Sequence, residues 1–66
     1  MNADFLRHIV SQRPFRKCRL VLTDGSEVPV SSPERITIPD NDTARVQTED
    51  GCLHIIDLRH LVEIRS

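Results

Sequence analysis

Two Asp-Gly pairs, Asp24-Gly25 and Asp50-Gly51, each lie between stretches in which apolar residues recur at every second position. Asp-Gly suits a hairpin turn because glycine reaches positive φ without steric cost, and alternation marks a strand with one face buried. Before the first pair Cys18, Leu20 and Leu22 share a face, and after it Val28 and Val30 do, which predicts a β-hairpin. Pro29 has no N–H to donate, so its strand belongs at a sheet edge or a bulge. A shift of 26 residues then places Arg19 on Arg45, Leu20 on Val46, the first Asp-Gly on the second, and Val30 on Ile56. A second hairpin is predicted over 44–48 and 52–57. Two hairpins are too few to define a repeat architecture.

The remaining segments are short. Over residues 2–12, Phe5, Leu6, Ile9 and Val10 gather on one side of a helix while Arg7, Ser11 and Gln12 take the other. Asn2 is the expected N-cap, Asp4 favours the helix dipole, and Pro14 ends the helix by excluding Arg13 from helical backbone. About three turns of helix are marginal in isolation, so this one must dock on something. Between the hairpins, Ser31-Ser32-Pro33-Glu34 reads as a tight turn, 35–38 as a short strand and Pro39-Asp40-Asn41-Asp42 as a polar loop. Near the C-terminus, Asp57 is expected to cap one helical turn, followed by a last strand over 61–65, because Val62 and Ile64 lose rotamer freedom in a helix.

Composition bounds what these pieces build. A chain of 66 residues is expected to form a single domain, 1–66, and hides only about 60% of its unfolded surface on folding. Val, Ile and Leu contribute six residues each, Trp and Tyr are absent and Phe occurs twice, which favours a small aliphatic core over a deep substrate cavity. No apolar run approaches the about eighteen residues that span a bilayer, and Asp4, Arg7 and His8 interrupt any secretory signal, so a cytoplasmic protein without membrane attachment is expected. Cys18 and Cys52 are too few for a disulfide scaffold and read as reduced thiols. Smallness without disulfides favours self-association.

The order helix, hairpin, short strand, hairpin, helical turn and last strand resembles that of SH3-like small barrels with a leading helix, as in Sm-like proteins. More specifically, Pro14-Phe15-Arg16, Leu22-Thr23-Asp24-Gly25, Ser32-Pro33-Glu34, and Asp50-Gly51 followed by Leu53-His54-Ile55-Ile56-Asp57-Leu58 resemble a group of short uncharacterised bacterial proteins. That resemblance spans nearly the whole chain. It implies a compact β domain with an N-terminal helix, and no catalytic residue is carried over from it. Sm-like RNA binding relies on a loop with an aspartate and asparagine pair and on a later Arg-Gly or Lys-Gly. Here Asp57-Leu58 stands where that basic pair would be, and no glycine follows Gly51.

Candidate chemistry is sparse. His54, Asp57 and His60 fall within seven residues with Cys52 close by, the nearest approach to a metal-ligand set. A strand followed by a turn sends His54 and His60 in different directions, so the three read as a strand residue, a turn cap and a surface residue. Cys52 and His54 share a strand face, as any residues two apart do, and no glycine-rich turn supplies an oxyanion site. Asp40 and Asp42 lack the further carboxylates of a calcium loop and, like Ser31 and Ser32, read as turn formers. Charge is unevenly placed: residues 1–19 carry +4 through Arg7, Arg13, Arg16, Lys17 and Arg19 against Asp4, residues 20–57 carry -6, and the last nine carry +1.

The expected fold is mainly β, a small antiparallel SH3/Sm-like barrel or curved sheet of five to six strands with one N-terminal α-helix across an open end. Its expected core is Phe5, Leu6, Ile9, Val10, Leu20, Leu22, Val28, Val30, Ile36, Ile38, Val46, Leu53, Ile55, Val62 and Ile64. The expected function is that of a non-enzymatic protein-interaction module, self-associating through exposed strand edges, with no cofactor, metal or small-molecule substrate. The alternative is an Sm-like RNA-binding module. Arg13, Arg16, Lys17 and Arg19 are the candidate contacts for nucleic acid or a protein partner.

Overall fold

Both Asp-Gly pairs form the same three-residue loop. In the computed structural model, which describes residues 2–66, Gly25 has φ +87° and Gly51 φ +91°. Gly25 N–H donates to Leu22 O (2.9 Å) and Leu22 N–H to Ser26 O (2.9 Å); Gly51 N–H donates to Thr48 O (3.0 Å) and Thr48 N–H to Cys52 O (2.9 Å). The aspartates complete the loops, Asp24 Oδ1 accepting from Ser26 N–H and Asp50 Oδ1 from Cys52 N–H. The left-handed glycine closes a type I turn into a bulged hairpin, and every residue pair of the two hairpins follows from it.

The described elements are α1 (Ala3–Ser11), β1 (Cys18–Leu22), β2 (Glu27–Val30), a 3-10 turn (Pro33–Arg35), β3 (Ile36–Thr37), β4 (Thr43–Gln47), β5 (Leu53–Asp57), a second 3-10 turn (Leu58–His60) and β6 (Leu61–Arg65). They build two antiparallel three-stranded sheets, ordered β2-β1-β6 and β3-β4-β5. The mainly β, barrel-like architecture with one helix is the one expected, as are the turn capped by Asp57 and the last strand. Pro33–Arg35 forms a 3-10 turn, and β3 keeps only Ile36 and Thr37 of the expected 35–38 strand.

Helix α1 is fixed at both ends. Asn2 Oδ1 accepts from Asp4 N–H at 2.6 Å, and Gln12 N–H reaches Ile9 O. The Arg7 guanidinium holds the helix to the loop before β4, donating to Ile38 O (3.3 Å), Asp40 O (3.1 Å) and Asn41 Oδ1 (3.3 Å) while pairing with Asp4. The buried stripe runs through Ala3 and Leu6, with Val10 and Ile9 half-buried beside it. Phe5, expected in the core, is 50% exposed. It lies about 100° around the helix from Leu6, and Ala3 lets the backbone approach the sheet from the other side.

Three further core expectations are overturned. Leu53 and Ile55 are 61% and 68% exposed, whereas Ile56 is 3% exposed. The register pairs Ile56 with Ala44 and His54 with Val46, both β4 residues being fully buried, so that face of β5 is the core side; Ile56 is buried on it, while His54 is exposed. A change of one position exchanges the faces of the whole strand. Leu58 and Leu61, on either side of the second 3-10 turn, occupy the core instead, anchored by Leu58 N–H on Asp42 O at 2.8 Å. Val62 is 56% exposed because a shift in the β1–β6 register places Leu61, not Val62, opposite Leu22. Expected consequence: Ile56→Ala and Leu58→Ala each cost about 2–5 kcal/mol of unfolding free energy, and Ile55→Ala changes it by about 0.5 kcal/mol or less. Urea denaturation at low protein concentration measures all three, and equal losses at 55 and 56 would contradict the observed phase.

Candidate functional site

Four strands lie at sheet edges, and three of them are guarded. Hydrogen bonding alternates along an antiparallel pair. Since Leu22 bonds Ser26, Val28 and Val30 turn their backbone groups to β1 and leave Glu27 and Pro29 on the free edge of β2. Pro29 offers no donor there. Strand β3 has two residues, between Pro33 and Pro39. Strand β6 alternates Glu63 and Arg65 through its length; Arg65 pairs with Glu63 (3.1 Å) and Glu27 (3.8 Å), and Glu27 also meets Arg19 (3.4 Å). Charged residues on an edge discourage strand addition.

Strand β5 is different. The Thr48–Cys52 bond turns the backbone of His54 and Ile56 to β4, so the N–H and C=O groups of Leu53 and Ile55 face an edge with which no described strand pairs. Residues 53–56 contain no charge and no proline. The exposed side chains of Leu53 and Ile55 stand on the outer face opposite Gln47 and Arg45 of β4. The 26-residue shift that aligns Val30 with the buried Ile56 also aligns Glu27 and Pro29 with Leu53 and Ile55. The two hairpins share a turn and a phase, but only one carries guards. This edge was hidden in the sequence because Ile55-Ile56 satisfies either phase; the shift that places Val30 on Ile56 was the signal that resolves it.

The four candidate cations are divided between two clefts. Arg13 and Arg16 line an open cleft of about 740 Å³ with Phe5, Ile9, Val62 and Ile64. Lys17 and Arg19 line another of about 650 Å³, over Cys18 and Val30. Arg13 donates to Val10 O (3.0 Å) and Gln12 O (2.9 Å), satisfying carbonyls at the end of α1, and Arg19 is engaged with Glu27.

The histidines and carboxylates are likewise kept apart. His54 borders the cleft with Lys17, whereas Asp57 and His60 border a third cleft beside Thr23 and Asp24. Among the described residues no group of three or more His, Cys, Asp or Glu converges as a metal site. Cys18 is buried, which pushes its thiol pKa up and disfavours the thiolate; Cys52 is exposed, and both are free. No described helix is long and apolar enough to cross a membrane.

Asp57 is committed to structure. Its carboxylate takes Arg59 Nη2 at 2.7 Å, Arg59 Nε at 3.1 Å and the Arg59 backbone N–H at 2.9 Å, and these bonds hold its pKa at about 2 instead of 3.8. The Ser26 hydroxyl lowers Asp24, and the Thr48 hydroxyl lowers Asp50. A folded-state pKa below the unfolded one means that the unfolded chain binds more protons through that interval, so stability from Asp57 is complete above about pH 3.8 and lost as pH falls through about 2. The melting temperature of Asp57→Asn, which keeps a capping side chain, is therefore expected to vary less with pH across that interval than that of the unaltered protein. Parallel curves for the two would show that the Arg59 contacts do not set the titration. No family model, curated protein or solved structure matches the chain.

Proposed function

We propose that this chain is a non-enzymatic protein-interaction module that associates with copies of itself through its open strand edges. The reading is carried by β5, whose outward backbone groups lack a strand partner and whose Leu53 and Ile55 are 61% and 68% exposed. An added strand satisfies those groups and can set an apolar neighbour beside each of the two side chains, a cross-strand pair contributing roughly 0.2–1 kcal/mol. The small aliphatic core gives the same direction: a chain with so little interior gains most by burying surface against another molecule.

Sedimentation equilibrium over a range of concentrations tests the proposal. Average mass is expected to rise with concentration. Ile55→Pro, which copies Pro29 at the matching position, and Ile55→Lys, which adds an edge charge, are both expected to hold the chain at monomer mass with a near-unchanged far-ultraviolet spectrum. A monomer at every concentration overturns the reading. Tight single-stranded RNA binding that weakens steeply with salt and is lost when Arg13, Arg16 and Lys17 become Glu would put the RNA-binding alternative in its place.

A further inference from the structure

Resting on that reading, we propose that the assembly is a closed two-fold dimer in which β5 of one copy pairs antiparallel with β5 of a second, centred on His54, so that Leu53 of each chain stands opposite Ile55 of the other. Three observations carry it. Guards stand on every edge strand except β5: Pro29 on β2, the two-residue length of β3, and Glu63 with Arg65 on β6. Pairing β5 with β6 of another copy would match Leu53 and Ile55 with Val62 and Ile64 but leave a free β5 and a free β6 at the two ends of an open chain of copies, whereas pairing β5 with itself uses the unguarded edge of both copies and closes.

The register follows from the backbone. Leu53, Ile55 and Asp57 carry the outward hydrogen-bonding groups, and an antiparallel pair must match outward groups with outward groups. Centring on Ile55 would put Asp57 against Leu53 of the second copy. Centring on His54 gives two Leu–Ile couples and leaves Asp57, already neutralised by Arg59, beyond them. Asp57 then falls opposite Gly51, which brings the 3-10 turn bearing Arg59 to the end of the strand pair that carries Glu49 and Asp50 of the second chain, a charge match that occurs twice by symmetry. The composite sheet reads β3-β4-β5-β5-β4-β3, and the two-residue β3 ends it on both sides. A two-fold contact of this kind uses up the unguarded edge and stops at two copies.

Cysteine cross-linking in a Cys52→Ser background tests the arrangement. His54 faces its own copy in a non-hydrogen-bonded pair, with Cα atoms about 4.5 Å apart, within disulfide reach. His54→Cys is expected to convert mainly to a disulfide-linked dimer on mild oxidation, while Glu63→Cys remains mainly uncross-linked. A mixture of Leu53→Cys and Ile55→Cys chains is expected to yield the mixed dimer in preference to either homodimer, which keeps the register testable should position 54 not tolerate cysteine. Preferential Ile55→Cys homodimers overturn the register. Sedimentation of the same variants separates the two proposals: dimers that cross-link through position 63 and not through 53, 54 or 55 overturn this inference and leave self-association standing, whereas monomers throughout overturn both.

Discussion

Each hairpin depends on a backbone conformation that L side chains rarely adopt, supplied by Gly25 at φ +87° and Gly51 at φ +91°. With the glycine in place, the loop closes at three residues, and the first bond beyond it, Leu22 to Ser26 or Thr48 to Cys52, decides which strand residues point inward. Four of the six strands take their phase from these two loops. In β5 the consequence is direct: His54 and Ile56 turn toward the core side, and Leu53 and Ile55 are left outside.

A 66-residue chain has little interior to spend on function, and the short elements are used to fill it. Leu6 from the helix and Leu58 and Leu61 at the second 3-10 turn are almost completely buried, together with Leu20, Val30 and Val46 from the sheets. Polar anchors hold these fillers in position. Arg7 ties the helix to the loop before β4, and Asp57 caps the turn that presents Leu58. Of the titratable groups that look like chemistry in the sequence, Asp57 is occupied by Arg59, and the turn aspartates are likewise held locally, Asp50 by Thr48 and Cys52 and Asp24 by Ser26.

What the fold leaves uncommitted is strand edge. Natural sheets protect their edges with proline, charge or brevity, and here β2, β6 and β3 use one each. The hairpins share one turn design, so the contrast between Pro29 and Ile55 at matching positions lies in what each edge exposes, and not in how the strand folds. An unguarded apolar edge is one that a further strand can extend.

Local chemistry was legible in the sequence. Asp-Gly pairs specify hairpins, Asn2 and Asp57 specify caps, Pro14 ends a helix and Pro29 marks an edge, because each acts through backbone conformation or hydrogen bonds within a few residues of itself. Phase was legible only where polar and apolar residues alternate strictly. Ile55-Ile56 and Leu61-Val62 permit either face, and the choice fell to partners far along the chain: Ala44 opposite Ile56, and Leu22 opposite Leu61 after a register shift. The side of the helix that docks was likewise decided by fit to the sheet, which admits Ala3 and leaves Phe5 half in water. Tertiary structure also divided Arg13 and Arg16 from Lys17 and Arg19, neighbours in sequence that border separate clefts. Turns and caps are short-range and written in the residues themselves, whereas burial is settled by whichever packing removes the most apolar surface from water across the whole chain.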